Sequence, residues 1–516
     1  MKHFYRNLKM ACMVAVLSIS MTNVMAQREV EVPVGTLLNE FIHGDTTAAG
    51  ERIDDNTIYL LERGQVYEIA NYIRLTGVAL QIKSKAGEGT PAIMVTKPND
   101  EGVYPQAIRT RGDVWLEDVY LTNANGAGNQ PKWGGFRSEG ANTNIVLKNC
   151  LIEMDKASII QVRENGQSIL IEDCIVGKSG DYNRNNGNGR LIDCREFDVA
   201  KIEVKNTSMY HLVDRIVRNM QGGRIDEFIF NQNTGLQIQG YHGLFHLGTV
   251  GSATITNNLF LNAKYMGNWT NVNEQTGPAP DNENHYLVTA DTIIADTTVF
   301  TISNNNFYYD DEVKAFWSRY DTVSQAEVLA PIVAAEMGDA AADAAWELEF
   351  EFTNPIPTIN YNYLDSLFID PTLDPTAENW PMPEGTTIFN LNLDFTTDNE
   401  ELITGSTTGG QLGDLNWEGT LNGTESINTY ESNSLNVSIY PNPATDIVTV
   451  KFALNAGSDA TVELLDITGK TVASQSFLAN SGENTVTFNV NELPAGLYFS
   501  TIRTEEGLSS SKLLID

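Results

Sequence analysis

Six apolar residues in the middle of the chain are each followed directly by a basic residue. The pairs are Ile108-Arg109, Phe136-Arg137, Val162-Arg163, Cys194-Arg195, Val217-Arg218 and Phe245-His246. If the apolar member of each pair points into a core, the basic member points outward. Further candidates close to this series are His211, Arg215, Tyr241 and His242. A row of guanidinium groups can bind carboxylates or sulfates bidentately, so the pattern indicates a groove for an acidic polysaccharide.

The same residues allow other interpretations. The arginines could instead pair with acids and amides of their own face: Gln161, Glu164, Asp193 and Glu196. Paired carboxylates for hydrolysis could come from Asp193 with Asp214, or from Asp226 with Glu227. A Ca²⁺ site is conceivable from Asp173, Asp181, Asp193 and Glu196, but the spacing is not diagnostic and no residue is assigned as a metal ligand. No Cys/His spacing predicts zinc.

A repeated phrase places these pairs on a regular scaffold. The phrase consists of an apolar residue, any residue and then Asn or Asp. Its Asn or Asp, written Asx, occurs at positions 118, 149, 173, 206, 231, 257 and 304. The shorter separations lie in the mid-twenties, which is the length of one three-strand turn of a parallel β solenoid. One turn cannot bury its own apolar face, so many must stack. A fixed Asx can bond to its copies in neighbouring turns, which needs no catalytic role.

Three phrases resemble pectate-lyase-like right-handed parallel β-helix proteins of bacterial glycan-utilisation loci. They are Tyr59 to Tyr67 at the start, Leu367 to Pro371, and Leu412 to Trp417 near the end. We therefore predict an all-β right-handed parallel β-helix over residues 27–396, with a capping helix over 36–42. Insertions are predicted at 267–296 and at 310–346, the second containing an alanine-rich helix broken at Pro331.

The resemblance also implies a chemistry. β-Elimination from a uronate needs a neutralised carboxylate, a base for the C5 proton and an acid for the leaving oxygen. In β-helix lyases the base is typically Arg or Lys, and Ca²⁺ or further arginines neutralise the carboxylate. By this resemblance Arg195 or Arg218 would be the base, Arg163 would neutralise the carboxylate, and His211, His242 or Tyr241 would be the acid. Arg109, Arg137, Arg163, Arg215, Tyr241 and His246 would bind substrate.

The amino terminus has the form of a secretory signal peptide. Lys2, Arg6 and Lys9 precede an apolar stretch that ends in Val24-Met25-Ala26, which predicts cleavage after residue 26.

The formal charge of the chain is −34. Loss of three basic residues and no acid with residues 1–26 would bring it to −37. Such a charge repels phosphates, so nucleic acid is an unexpected partner. No other apolar run is long enough to predict a transmembrane helix.

The carboxyl terminus contains the motifs of a second domain. Alternating apolar residues and turn signals over 435–516 predict a small antiparallel β-sandwich. The phrases Tyr440 to Ala444, Asp466 to Lys470 and Leu493 to Tyr498 resemble the C-terminal sorting domain of type IX secretion substrates. That resemblance implies export by a Bacteroidetes-type outer membrane machinery, to the cell surface or the medium. Residues 397–434, rich in Thr, Gly, Asn and Ser, are predicted to be a linker.

Two functions remain open from the sequence. One is an acidic-polysaccharide lyase, and the other is a non-catalytic glycan-binding or adhesive surface protein. A basic row fully paired with carboxylates would favour the second function or a structural role.

Overall fold

The computed structural model describes most of the chain. The described residues are 27–87, 89–98, 102–123, 135–180, 188–240, 242–269, 286–320, 323–356, 361, 393–417, 437–454, 457–466, 471–491, 493–504 and 507–515. The predicted signal peptide, residues 270–285 of the predicted 267–296 insertion, residues 418–434 of the predicted linker and the phrase Leu367 to Pro371 lie outside them.

Parallel strands in three ladders form the large domain. The first ladder contains β1 (Arg28–Glu31), β2 (Thr57–Leu61), β4 (Leu80–Ser84), β7 (Val114–Glu117), β10 (Asn144–Lys148), β13 (Gln167–Glu172), β16 (Val199–Lys205), the later parts of β18 (Val217–Asn231) and β20 (Phe245–Thr256), β24 (Thr292–Ile293) and β25 (Val299–Ser303).

The second ladder belongs to the same 17-stranded sheet. It contains β6 (Ile108–Thr110), β9 (Phe136–Ser138), β12 (Ser158–Val162), β15 (Arg190–Arg195), the first residues of β18 and β20, β23 (Tyr286–Thr289) and β28 (Glu327–Leu329). The later part of the predicted 267–296 insertion is therefore not outside the sheet, because β23 and β24 both pair with β20.

The third ladder is a separate nine-stranded sheet. Its members are β3 (Val66–Ile69), β5 (Ala92–Thr96), β8 (Val119–Thr122), β11 (Leu151–Glu153), β14 (Ile175–Ser179), β17 (Ser208–Leu212), β19 (Thr234–Leu236), β21 (Leu259–Leu261) and β26 (Asn306–Tyr308). The structure thus confirms the predicted all-β class with long parallel sheets.

Alternation along each strand gives all three ladders one shared core. In β2, for example, Tyr59 and Leu61 are buried whereas Ile58 and Leu60 are half-buried on the other face. A single cluster of buried side chains contains residues from every ladder. Each such aliphatic or aromatic side chain contributes about 1.5–3 kcal/mol when it leaves water.

The repeated Asx marks the turn between the first and third ladders. Six of the seven predicted positions, 118, 149, 173, 206, 257 and 304, have φ between 47° and 61°. Asn and Asp tolerate this left-handed conformation better than other residues with a side chain. At the seventh position the left-handed residue is Gln232, one place after Asn231. Asn257 donates to Asn231 Oδ1 across 2.8 Å, which is the predicted bonding between copies.

Helices cover both ends of the shared core. Helix α1 (Leu38–Gly44) buries Leu38 and Ile42 completely, as the predicted cap requires. At the other end α3 (Pro331–Met337) buries Val333. The prediction that Pro331 breaks a helix was wrong, because proline fits the first turn, where its missing N–H is not needed. The rest of the 310–346 region forms α2 (Asp311–Trp317), β27 (Val323–Ser324) against β22 (Asn268–Trp269), and a 3₁₀ helix (Gly338–Asp343).

Residues 393–417, here called the covering segment, lie on the outer face of the third ladder. The segment contains α4 (Glu400–Ile403) and a 3₁₀ helix (Leu415–Trp417). Its Phe395, Leu402 and Trp417 join an apolar cluster with Tyr210 and Leu236 of the sheet. The first part of the predicted linker is therefore packed against the parallel domain.

Two small antiparallel sheets form the carboxyl-terminal region. One contains β29 (Ser438–Tyr440), β30 (Ile447–Leu454) and β33 (Gly482–Asn489). The other contains β31 (Ser458–Asp466), β32 (Thr471–Ala479), β34 (Gly496–Thr504) and β35 (Gly507–Ile515). Buried residues of both sheets, among them Val448, Val462 and Phe488, form one cluster.

Candidate functional site

The register of the second ladder places the predicted basic residues in two neighbouring columns. The first column, on successive strands, contains Arg74, Arg109, Arg137, Gln161, Asp193, Arg218, His246 and Thr289. The second column lies two residues further along each strand and contains Thr76, Arg111, Glu139, Arg163 and Arg195.

The predicted single column was therefore wrong at two turns. Arg109, Arg137, Arg218 and His246 share the first column, as expected from the apolar-basic pairs. Arg163 and Arg195 lie in the second column, and Gln161 and Asp193 take the first-column places on those turns. The structure thus divides the row into an amino-terminal part that is rich in arginine and a later part that contains carboxylates.

The amino-terminal part concentrates positive charge. We call Arg74, Arg109, Arg111, Arg137 and Arg163 the basic face. Glu139 is its one ion-pairing carboxylate within the described residues, at 2.5 Å from Arg74, 2.5 Å from Arg109, 3.1 Å from Arg137 and 4.0 Å from Arg111. Four guanidinium groups lie within 4.0 Å of this one carboxylate, and the fifth, that of Arg163, is influenced by the charges of Asp193 and Glu196. The basic face thus has an excess of positive charge in a chain whose total is −34.

A groove runs beside the basic face. Its volume is about 660 Å³, and it is lined by residues 70–72 and 103–106 together with Arg109, Arg137, Gln161 and Arg163. The guanidinium carbons of Arg74 and Arg109 lie 4.9 Å and 5.0 Å from the centre of the Tyr72 ring. These contacts fix both arginine planes by cation–π attraction. Arg163 donates to Gln161 Oε1 across 3.1 Å, which holds it at the far end of the groove.

Further along the ladder, Asp193 holds the residues that the sequence proposed as bases. Arg218 donates two hydrogen bonds of 2.8 Å to its two carboxylate oxygens. Arg195, half-exposed, and Arg190, fully buried, lie 3.6 Å and 3.7 Å from Oδ2. Burial alone would raise the pKa of Asp193, but the hydrogen bonds from Arg218 and the charge of Arg190 outweigh it and lower the pKa.

Asp214 is the centre of a second group and is completely buried. Its carboxylate lies 2.6 Å from Arg190 Nε, 2.7 Å from His242 Nδ1 and 3.6 Å from Arg215 Nε. The pKa of Asp214 stays well below its usual value, because the charges of Arg190, His242 and Arg215 overcome the cost of burial. Burial lowers the pKa of His242, although the carboxylate of Asp214 opposes the shift.

His246 and His211 occupy different surroundings. His246 lies 2.6 Å from Arg215 and 2.5 Å from Asp291, so it connects a buried guanidinium with a third carboxylate. His211 is in β17 of the third ladder, where its Nε2 lies 3.1 Å from Gln237 Oε1. Burial lowers the pKa of His211 to about 3, so its ring is neutral at ordinary pH. The structure therefore does not bring His211 to the second ladder, and Tyr241 lies outside the described residues.

Asp193, Asp214 and Asp291 are each in contact with a basic side chain, and four guanidinium groups, those of Arg190, Arg195, Arg215 and Arg218, lie among them. Arg190 connects the two aspartates proposed as a hydrolase pair. The other proposed pair is also occupied, since Asp226 lies 2.5 Å from Arg224 and Glu227 lies 3.1 Å from Lys201. This part of the ladder thus agrees with the paired alternative, whereas the basic face does not.

Sequence reasoning missed Arg74, Tyr72 and Glu139. Arg74 follows Ile73 and so has the same apolar-basic form as the six pairs, a signal that could have extended the row by one turn. Glu139 gave no such signal, because its role depends on the register of three neighbouring strands. For metals, the described residues contain no group of three His, Cys, Asp or Glu side chains placed to hold an ion. Asp181 of the calcium hypothesis lies outside those residues.

None of the helices in the described parts of the chain has the length and apolar character to cross a bilayer.

No curated protein matches the chain. Among solved structures, it is similar to dimeric latent PorU from Porphyromonas gingivalis at 19% identity. The similarity covers 15% of this chain and 9% of that chain, with a TM-score of 0.13, so it carries no argument about the fold.

A family match identifies the carboxyl-terminal region. The family described as the secretion system C-terminal sorting domain matches residues 438–516, the region of the two small antiparallel sheets. This confirms the predicted sorting domain and the predicted localisation. The chain carries a type IX secretion C-terminal sorting domain and is a protein secreted to the cell surface or the extracellular space.

Proposed function

We propose that the parallel domain is a right-handed β-helix that binds an acidic polysaccharide without cleaving it. Three observations support the β-helix: the three ladders, the register that advances one strand per turn, and the left-handed Asx turns between the first and third ladders. The observation that carries the binding function is the basic face, whose five arginines line or adjoin a groove and of which four lie within 4.0 Å of one carboxylate, that of Glu139.

The excess of donors makes the basic face a polyanion site. Each guanidinium has five N–H donors, whereas the two oxygens of Glu139 offer about four acceptor positions. Arg109 and Arg137 line the groove, and the side chains of Arg109, Arg111 and Arg137 are 30%, 52% and 36% exposed. Register partners lie about 4.8 Å apart, so the first column presents its charges along the direction in which the turns stack. An extended acidic chain lying along that direction would meet one arginine per turn.

A lyase is less well supported by the geometry. An arginine that acts as a base must lose its proton, yet Arg218 donates both of its hydrogen bonds to Asp193. Arg195 is more exposed, but it also lies beside that carboxylate. The proposed acids are distant or occupied, since His211 contacts Gln237 and His242 contacts Asp214. These contacts favour structural roles for all four residues.

The test uses residues 27–516 and a panel of polygalacturonate, alginate, dextran sulfate and neutral dextran. Affinity gel electrophoresis and calorimetry should show binding to the acidic polymers and none to neutral dextran. The double variant Arg109→Gln/Arg137→Gln should weaken binding by at least about tenfold. Arg224→Gln, a comparably exposed arginine outside the basic face, should leave it unchanged. Unaltered binding in the double variant would refute the site.

The same incubations separate binding from catalysis. Release of unsaturated uronates, followed by ultraviolet absorbance with and without Ca²⁺, should stay at the level of the polymer alone. A rise in absorbance that Arg195→Ala or Arg218→Ala abolishes would overturn the non-catalytic proposal and restore the lyase.

A further inference from the structure

Glu139 places a negative charge in the second column, whose other charged residues are arginines. On consecutive strands this column contains Arg111, Glu139, Arg163 and Arg195, so one carboxylate lies where a guanidinium lies on the other three turns. The first column beside it contains Arg74, Arg109 and Arg137. Glu139 is thus surrounded by arginines from both columns.

The contacts of Glu139 engage Arg109 and Arg137, two of the arginines that line the groove. Its side chain is only 12% exposed, and it accepts hydrogen bonds from Arg74 across 2.5 Å and from Arg109 across 2.5 Å and 3.0 Å. Arg137 Nε lies 3.1 Å from the same oxygen that Arg109 contacts. A carboxylate or sulfate entering the groove meets the same guanidinium groups, so it competes with Glu139 for their charge and for the donors that Glu139 engages.

We propose that Glu139 is a built-in counter-anion that a polyanionic ligand displaces, and that it sets the affinity of the basic face. This inference rests on the proposed binding function. Guanidinium groups one strand apart repel each other, so the free protein needs a counter-charge among them. Glu139 supplies that charge when the groove is empty, and the ligand supplies it when the groove is filled.

The proposal makes the stability of the free protein and its affinity change in opposite directions. Replacing Glu139 with its neutral isostere leaves the arginines uncompensated, which destabilises the free protein. A bound polyanion relieves that repulsion and meets no competitor, so it binds more tightly. If Glu139 only held the arginines in position, its loss would weaken binding instead.

The experiment compares Glu139→Gln with Glu172→Gln in residues 27–516. Glu172 is a matched control because it also bridges two cations, Lys148 at 2.7 Å and Lys205 at 2.8 Å, but on the first ladder. Calorimetry with polygalacturonate and with dextran sulfate, at several NaCl concentrations, should show Glu139→Gln binding both polymers about tenfold tighter, the effect of one like charge removed at close range. Its salt dependence should steepen and its melting temperature without polymer should fall. Glu172→Gln should lower the melting temperature and leave affinity unchanged.

The outcomes separate this inference from the function on which it rests. Binding by the wild type with equal or weaker binding by Glu139→Gln would overturn the counter-anion role and leave the binding function intact. Tighter binding of only one polymer would assign the site to carboxylates or to sulfates. Failure of every form to bind either polymer would overturn the binding function itself. If Glu139→Gln does not fold, Glu139→Asp, whose shorter side chain draws the carboxylate back from Arg109, must bind more tightly than the wild type, and equal binding refutes the proposal.

Discussion

Asp414 of the covering segment is a carboxyl group with no cationic partner in the described structure. Its side chain is 2% exposed and accepts hydrogen bonds from Ser208 Oγ across 2.8 Å and from Asn416 across 2.8 Å and 3.0 Å. Burial raises its pKa to about 7, because these neutral hydrogen bonds only partly offset the loss of water and the nearby charge of Asp173 opposes ionisation. The segment is therefore held most firmly when Asp414 is protonated.

The sign and size of the pH effect follow from this shift. The folded pKa of about 7 lies above the ordinary value of 3.8, so the stabilisation is complete below about pH 4 and is lost as the pH rises towards 7. A shift of about 3 units corresponds to roughly 4 kcal/mol, of which about 3 kcal/mol falls between pH 5 and pH 8. Asp414→Asn keeps the shape and removes the charge, so it should abolish this loss.

The assay is the pH dependence of unfolding. Urea titrations of the wild type and Asp414→Asn, followed by tryptophan fluorescence at pH 5 and pH 8, should show the variant more stable at pH 8 and nearly level with the wild type at pH 5. Hydrogen exchange of peptides from residues 393–417 isolates the segment from the rest of the chain. Asp398→Asn, an exposed acid of the same segment, is the control. Equal pH dependence in the wild type and Asp414→Asn would refute the reasoning.

Three further predictions concern the parallel domain. Asn258→Leu should destabilise it by about 2–4 kcal/mol in urea unfolding, because the buried side-chain amide of Asn258 accepts a hydrogen bond from Asn233 N–H and donates to Phe230 O and Asn305 Oδ1, and leucine replaces none of these bonds. Arg218→Met should lower the free energy of unfolding by about 3 kcal/mol in the same assay, since Asp193 loses its bidentate partner. An unchanged free energy of unfolding would mean that Arg190 and Arg195 suffice to stabilise the Asp193 carboxylate. Polygalacturonate binding by the basic face should weaken at least about tenfold between about 50 and 300 mM NaCl in calorimetry, and salt-independent binding would exclude an electrostatic site.

The turn between the first and third ladders was predictable because its cause is local. A left-handed backbone at Asp118, Asn149 or Asn304 favours Asx through the geometry of that one residue, so the sequence repeats the signal each time. The same logic found α1, whose Leu38 and Ile42 face the core at helical spacing. At the seventh turn the left-handed residue is Gln232 and not an Asx, so the predicted position, Asn231, was one residue too early.

The columns of the second ladder were not predictable to the same degree. An apolar residue precedes both Arg163 and Arg137, and alternation alone cannot tell which outward place in a strand each basic residue takes. Register is decided by the lengths of the turns between strands, and that choice put Gln161 and Asp193 beside Arg137 and Arg218. Glu139 illustrates the limit, since one of its four arginine neighbours, Arg74, lies 65 residues before it in the sequence.

The attachment of Trp417 to the third ladder determines how a mechanical load enters the parallel domain. Trp417 Nε1 donates a hydrogen bond of 2.7 Å to Ser208 Oγ. Ser208 lies in β17, which is the sixth of the nine strands of the third ladder counted from β3. Tension transmitted from the sorting domain therefore reaches the side of the stack, near its middle, before it reaches either end strand. It must first detach Trp417 and Asp414 from Ser208 and then Thr407 from Asn257. Under such a load, the hydrogen bonds of the covering segment would therefore break before the strands of the ladders separate from one another.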